Sequence, residues 1–305
     1  LTVADDVPND ERWFPSGRLT KGRSVMLGQS FLLNLEVEQK MKVLSMFILF
    51  IKHMDLDVGF HVVMPSALSS KRSVRSQICE LAEKVAIGFD LCNYAIKNSV
   101  PIFDAAVERI LSKRNDDFSR EQLTSYDYFF QKISCMDEVF DGLLEEEKFL
   151  LDDCGTLNDK IECIKETGNI LVLCIDAIDR CRDEAILDTE TDLRWTQEQQ
   201  FLSVLKKHLE VVFDAIREGL KEQITSSRLR REALVLASFI LGEQTSEERL
   251  GSPIVQTFFE LQDETAGIQL AKQFEDFKTL VNLTESLADN DRKAKIKEYK
   301  KMFNS

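Results

Sequence analysis

Residues 161–180 read IECIKETGNILVLCIDAIDR, and the class of fold turns on how they are read. Ile161, Ile164, Gly168, Leu171, Ile175 and Ile178 fall at spacings of 3, 4, 3, 4 and 3. That is the repeat of one face of an α-helix at 3.6 residues per turn. The run Ile170–Ile175 is the best apolar candidate for a strand in the whole chain. Because the 3-4 repeat continues on both sides of it, the segment is read as helix, and Gly168 on the apolar face lets a neighbouring helix approach closely.

The same periodicity extends outward in both directions. Val37, Met41, Leu44, Ile48 and Ile51 mark a helix over about 30–54 whose second half is apolar nearly all round, so neighbours must cover it on several sides. Residues 55–70, with Gly59 and Pro65, read as a loop. Helices are expected from Ser73 to Leu91, from near Ser99 with Pro101 in the first turn, and from Thr124 to near Gly155. The polar stretch Ala185–Arg194 breaks the pattern. Beyond it, Thr196 with Gln199 resembles a capping box, and Leu202, Leu205, Leu209, Val212, Ile216 and Leu220 mark the next helix. Another covers Leu234–Leu241, after which Thr245 with Glu248, Ser252 before Pro253, and Thr265 each signal a fresh helix start. No alternating strand run and no fixed-period repeat appears. The expectation is an all-α, irregular, α-solenoid-like stack of antiparallel helical hairpins with no sheet. Residues 1–29, rich in Pro, Gly and Arg/Lys, read as a linker from a missing N-terminal domain, 30–188 as a first helical block, and 189–305 as a second block with shorter hairpins.

Composition excludes several classes. The 305 residues carry a formal charge of −14, which opposes general affinity for nucleic acid, since phosphate binding needs clustered cations. The longest apolar stretch, Val43–Ile51, has nine positions, against about 20 for a membrane-spanning helix. The seven cysteines have no short paired spacing and read as free thiols in a reducing compartment.

Each chemical motif meets a plainer alternative. Gly17–Ser24, GRLTKGRS, matches the phosphate loop G-x-x-x-x-G-K-[ST] except for Arg23, and Ile170–Asp176 imitates a strand ending in a magnesium-ligating aspartate. Together they would make a nucleotide hydrolase using Gly22, Arg23, Ser24 and Asp176. The loop needs a buried strand before it, however, and Asp10–Pro15 is charged and proline-bound, so a basic linker is preferred. Cys163, Cys174 and Cys181 share one helical direction to within about 20°, but thiols spread along one straight helix cannot converge on one ion, and small buried residues are the better reading. His53, His61 and His208 form no nucleophile pattern. Asp152-Asp153, the group Asp176, Asp179, Asp183 and Glu184, and Glu145-Glu146-Glu147 read as solvated helix faces rather than magnesium sites, because no DDxxD run is present. Arg292, Lys293, Lys295, Lys297, Lys300 and Lys301 are read as favourable charge near a helix C-terminus, the alternative being contact with a partner or an acidic membrane. No catalytic, cofactor-binding or metal residue is assigned. Trp13, Phe14 and Trp195 are the candidate partner contacts, because aromatics outside a core favour interfaces, the alternative being that they fold back onto their own helices.

The order of segments also carries a resemblance. The linker Asp10-Glu11-Arg12-Trp13, then FLLNLEVEQKMKVLSMFILFIKHMDL, CELAEKVAIGFDL, FDAAVERIL, YDYFFQKISCMDEVFDGLLEEEKFLL and AGIQLAKQFEDFKTLVNLTE together resemble the 133-kDa nucleoporin family, with residues 182–200 matching least. The resemblance implies a scaffold subunit of the Y-shaped outer-ring complex of the nuclear pore, a β-propeller followed by a helical stack, of which this chain would be the first part. It implies no catalysis and no cofactor. It further implies roles in pore assembly, mRNA export and nucleocytoplasmic transport, location at the nuclear envelope, and recruitment to kinetochores in some animals. Partners would be other Y-complex nucleoporins. Docking to the 107-kDa nucleoporin is expected through C-terminal helices that this sequence does not contain. A helical adaptor of a vesicle coat or tether is the alternative function, and the nucleotide hydrolase a remote one.

Overall fold

The 3-4 repeat at 161–178 is realised as a single helix, Leu157–Ala185, with Ile161, Ile164, Leu171, Ile175 and Ile178 all buried. The computed structural model of the chain describes residues 61–62, 72–98, 100–114, 136–185, 194–197, 199–222, 227–283, 292–293, 296–297 and 299–301. The expected linker at 1–29, the helix at 30–54 and most of the polar break at 185–194 lie outside the described residues.

In order, the helices are α1 (Val74–Lys97), α2 (Pro101–Arg114), α3 (Met136–Asp153), α4 (Leu157–Ala185), a 3-10 turn (Trp195–Gln197), α5 (Gln199–Lys221), α6 (Ser227–Gly242), α7 (Ser246–Arg249), α8 (Pro253–Glu260), α9 (Glu264–Gln273) and α10 (Phe277–Leu283). The described residues form an irregular all-α stack of hairpins. Their strand content is one two-residue antiparallel ladder, β1 (His61–Val62) with β2 (Arg72–Ser73), inside and just beyond the stretch expected as a loop. Two residue pairs are too few to form a layer of the fold.

The chain divides into two compact units, one of residues 1–154 and 165–204, the other of 155–164 and 205–305. In the first unit α2 packs on α3. Gly142 makes this approach close, since a Cβ there would stand 3.1 Å from Ile110 Cδ1. α1 and the second half of α4 run antiparallel: Asp90 pairs with Arg180, and seven residues earlier Glu83 pairs with Arg182. Phe140 of α3 meets Phe201 of α5 with ring centroids 4.7 Å apart, closing a core that also holds Phe103 and Leu143.

In the second unit short helices are set by local chemistry. Thr245 and Glu248 form a reciprocal capping box, and Ser252 caps α8 ahead of Pro253. The start of α9 is capped by Asp263, whose Oδ1 accepts from Ala266 N at 3.3 Å, two residues before the expected start at Thr265. α8 and α9 form a hairpin in which Gly267 lies against the Phe259 ring. Asp276 joins the next turn, accepting from Gly251 N (3.1 Å) and from the backbone and hydroxyl of Thr279 (3.1 and 2.5 Å). Gly251 adopts φ +68°, a left-handed conformation that glycine takes without Cβ strain. Among the described residues no helix is long and apolar enough to cross a membrane.

Candidate functional site

The most elaborate polar arrangement of the first unit gathers around Glu83 of α1. Helical spacing puts Glu80, Glu83 and Lys84 on the inner side of α1, where all three are buried. A buried carboxylate is tolerated only if paired and hydrogen-bonded. Arg182, near the end of α4, supplies the pairing: its Nε donates to Glu83 Oε1 at 3.0 Å and its Nη2 to Oε2 at 3.3 Å. Trp195 Nε1 donates to the same Oε2 at 2.7 Å. Arg182 Nη2 also donates to Thr196 Oγ1 at 2.8 Å. The Trp195 ring then packs on Phe201 at 5.1 Å between centroids, with Lys84 Nζ 4.7 Å from its own centroid. Lys84 in turn donates to Glu80 at 2.8 Å. Charge and aromatic surface therefore clasp α1, α4, the 3-10 turn and the start of α5.

The chemistry of this clasp is fastening. Its carboxylate is engaged by a guanidinium that stays protonated and by an indole N–H that only donates, so neither neighbour exchanges a proton at neutral pH.

Trp195, one of the three aromatics expected at a partner surface, is 4% exposed and committed to this cluster, whereas Trp13 and Phe14 lie outside the described residues. Thr196 sits within the 3-10 turn and accepts from Arg182, and α5 follows from Gln199, whose side chain, on which the expected capping box depends, lies outside the described residues. Gly17–Ser24 lie outside the described residues. Asp176 stands in the middle of α4, on a helix rather than at a strand end. Partial burial raises its carboxyl above the ordinary range, Arg180 draws it back down, and Asp90 pushes it further up.

Cys163, Cys174 and Cys181 are free thiols strung along α4. At 1.5 Å rise per residue they are about 16 and 10 Å apart along the axis, out of reach of a common ion. Cys174 is fully buried, and that burial, reinforced by Asp90, pushes its thiol up. His208 is buried on α5 with Nε2 3.0 Å from Glu232 Oε1 of α6; His61 belongs to β1, and His53 lies outside the described residues. Among the described residues no three His, Cys, Asp or Glu side chains converge as a metal ion would require.

The acidic run 145–147 requires a correction. Glu145 is exposed and pairs with Lys113 at 2.6 Å, but Glu146 and Glu147 are buried. Three successive residues sweep about 200° around a helix, so a run of like charge cannot stay on one solvated face. Glu146 is compensated by Arg109 of α2. Sequence reading missed Glu83 and Arg182 altogether. The available signal was a glutamate and a lysine inside the apolar pattern of α1, which demands buried partners without naming them.

No protein family profile matches the chain. It is 24% identical over 341 aligned positions to the nuclear pore complex protein Nup133 of the zebrafish, Danio rerio. The alignment takes in 99% of this chain and 29% of that protein, so the chain spans less than a third of the relative it matches. The similarity is distant but runs end to end, and with the all-α stack it describes a helical domain weakly related to a nucleoporin.

Proposed function

We propose that this chain is a spacer segment of the helical stack of an outer-ring scaffold subunit of the nuclear pore. Its work is geometric: hairpins fastened to their neighbours hold flanking regions at fixed separation, supporting pore assembly, mRNA export and transport between nucleus and cytoplasm. In this reading residues 1–29 connect the stack to a preceding domain, and partners are other outer-ring nucleoporins, with kinetochore recruitment following in cells where that complex relocates.

The observation that carries the proposal is that similarity to a nuclear pore complex protein covers 99% of a chain whose described residues are helical hairpins with no converging metal-type cluster. Buried charges are spent on fastening helices together, as a scaffold requires. The test is an endogenous fluorescent tag on the full-length protein, with its depletion. A continuous nuclear-rim signal and nuclear retention of poly(A) RNA on depletion are expected. A punctate vesicular signal with normal export would overturn the proposal in favour of a coat or tether adaptor.

A further inference from the structure

Residues 292–301, RKAKIKEYKK, hold six Lys or Arg and one Glu in a chain whose net charge is −14. The described residues of this segment are helical, and at about 100° per residue Lys293, Lys297, Lys300 and Lys301 span an arc of about 100°. All four are exposed. Tyr299 falls on the other side and is buried, with Lys272 Nζ of α9 5.9 Å from its ring centroid. The segment is thus anchored to the second unit by its tyrosine and turns a lysine stripe outward. None of the four lysines pairs with a carboxylate among the described residues. Lys293, Lys297 and Lys301 follow one another at i, i+4, a spacing at which like charges destabilise a helix. The helix dipole favours cations only within the last turn, so it does not account for Lys293 and Lys297.

We infer that this stripe is a docking surface for a short acidic segment of a partner protein, presenting carboxylates at helical spacing along about 12 Å, the rise from Lys293 to Lys301. The charge balance selects this occupant. At physiological salt, fields fade within about 8 Å, so a short acidic segment meets the stripe alone. A bilayer or a nucleic acid is an extended polyanion and would also face the acidic remainder of the molecule. Among the described residues, no aromatic or aliphatic side chain falls within the lysine arc to insert into lipid or stack on bases. The inference does not depend on the proposed pore function.

The test uses the whole 305-residue chain and a fluorescein-labelled helical peptide with glutamates on one face, followed by anisotropy. Binding that weakens with salt is expected. The triple variant Lys293→Gln, Lys297→Gln, Lys301→Gln should lose about tenfold in affinity, the joint worth of three exposed pairs. Removing the same charge elsewhere, with Lys206→Gln, Lys207→Gln and Lys221→Gln, should change it by less than about twofold. Equal losses in the two variants would overturn the inference, as would tighter binding to phosphatidylserine vesicles or to single-stranded RNA than to the peptide.

Discussion

Replacing Glu83 by glutamine tests the clasp directly, because it removes one charge and leaves the side chain's shape. The wild-type carboxylate takes two hydrogen bonds from Arg182 and one from Trp195, and its side chain is 8% exposed. Breaking a fully buried ion pair from one side costs about 3–5 kcal/mol. The Arg182 side chain is 19% exposed, so water recovers part of that, and the expected loss is about 2–3 kcal/mol. With a urea slope of about 2 kcal/mol per M, the midpoint falls by about 1 M or more. Arg182→Met should cost a similar amount. The double variant, which leaves no lone charge behind, should cost less than the sum by about 1–2 kcal/mol. Trp195 is its own reporter: in a Trp13→Phe background its fluorescence follows the first unit alone. A double variant that equals the sum of the singles within about 0.5 kcal/mol, or a Glu83→Gln midpoint that does not move, would refute the assignment.

In the second unit, Gly267→Ala places a Cβ 2.7 Å from the Phe259 ring. Overpacking should exceed the gain in helix propensity and leave a loss of about 1–2 kcal/mol by thermal denaturation, which Phe259→Leu in the same chain largely restores. Asp176 has a raised pKa, so its ionised form is disfavoured in the folded state, and the penalty is present above the folded pKa and gone below the unfolded one. Asp176→Asn should therefore raise stability only slightly at pH 7, because water screens this exposed carboxyl, and have no effect at about pH 3 in paired urea titrations; an unchanged difference at both would contradict the raised carboxyl. Calorimetry with magnesium and ATP should give no binding heat; affinity abolished by Ser24→Ala would revive the nucleotide-hydrolase reading.

What the sequence makes legible here is short-range. The 3-4 spacing of Ile161 to Ile178 identifies α4 and its buried face, and the cap chemistry of Thr245–Glu248 and Ser252–Pro253 marks α7 and α8, because partners three or four residues apart decide both. Burial of charge is not legible in the same way. Glu146 is inside because Arg109, 37 residues away, meets it, and Glu83 is inside because Arg182 and Trp195, 99 and 112 residues away, do. Such pairings belong to the tertiary arrangement. Trp195 shows the consequence: an aromatic in a polar break reads equally as an anchor for a partner or as folded back on its own helices, and only the tertiary arrangement brings its indole N–H to a carboxylate within its own unit.

The claim that this chain serves a pore scaffold is tested most directly by proximity labelling of the full-length protein in living cells. Biotin should accumulate on other outer-ring nucleoporins and far less on vesicle proteins. Enrichment of coat or tether subunits with no nucleoporin above background would contradict the account.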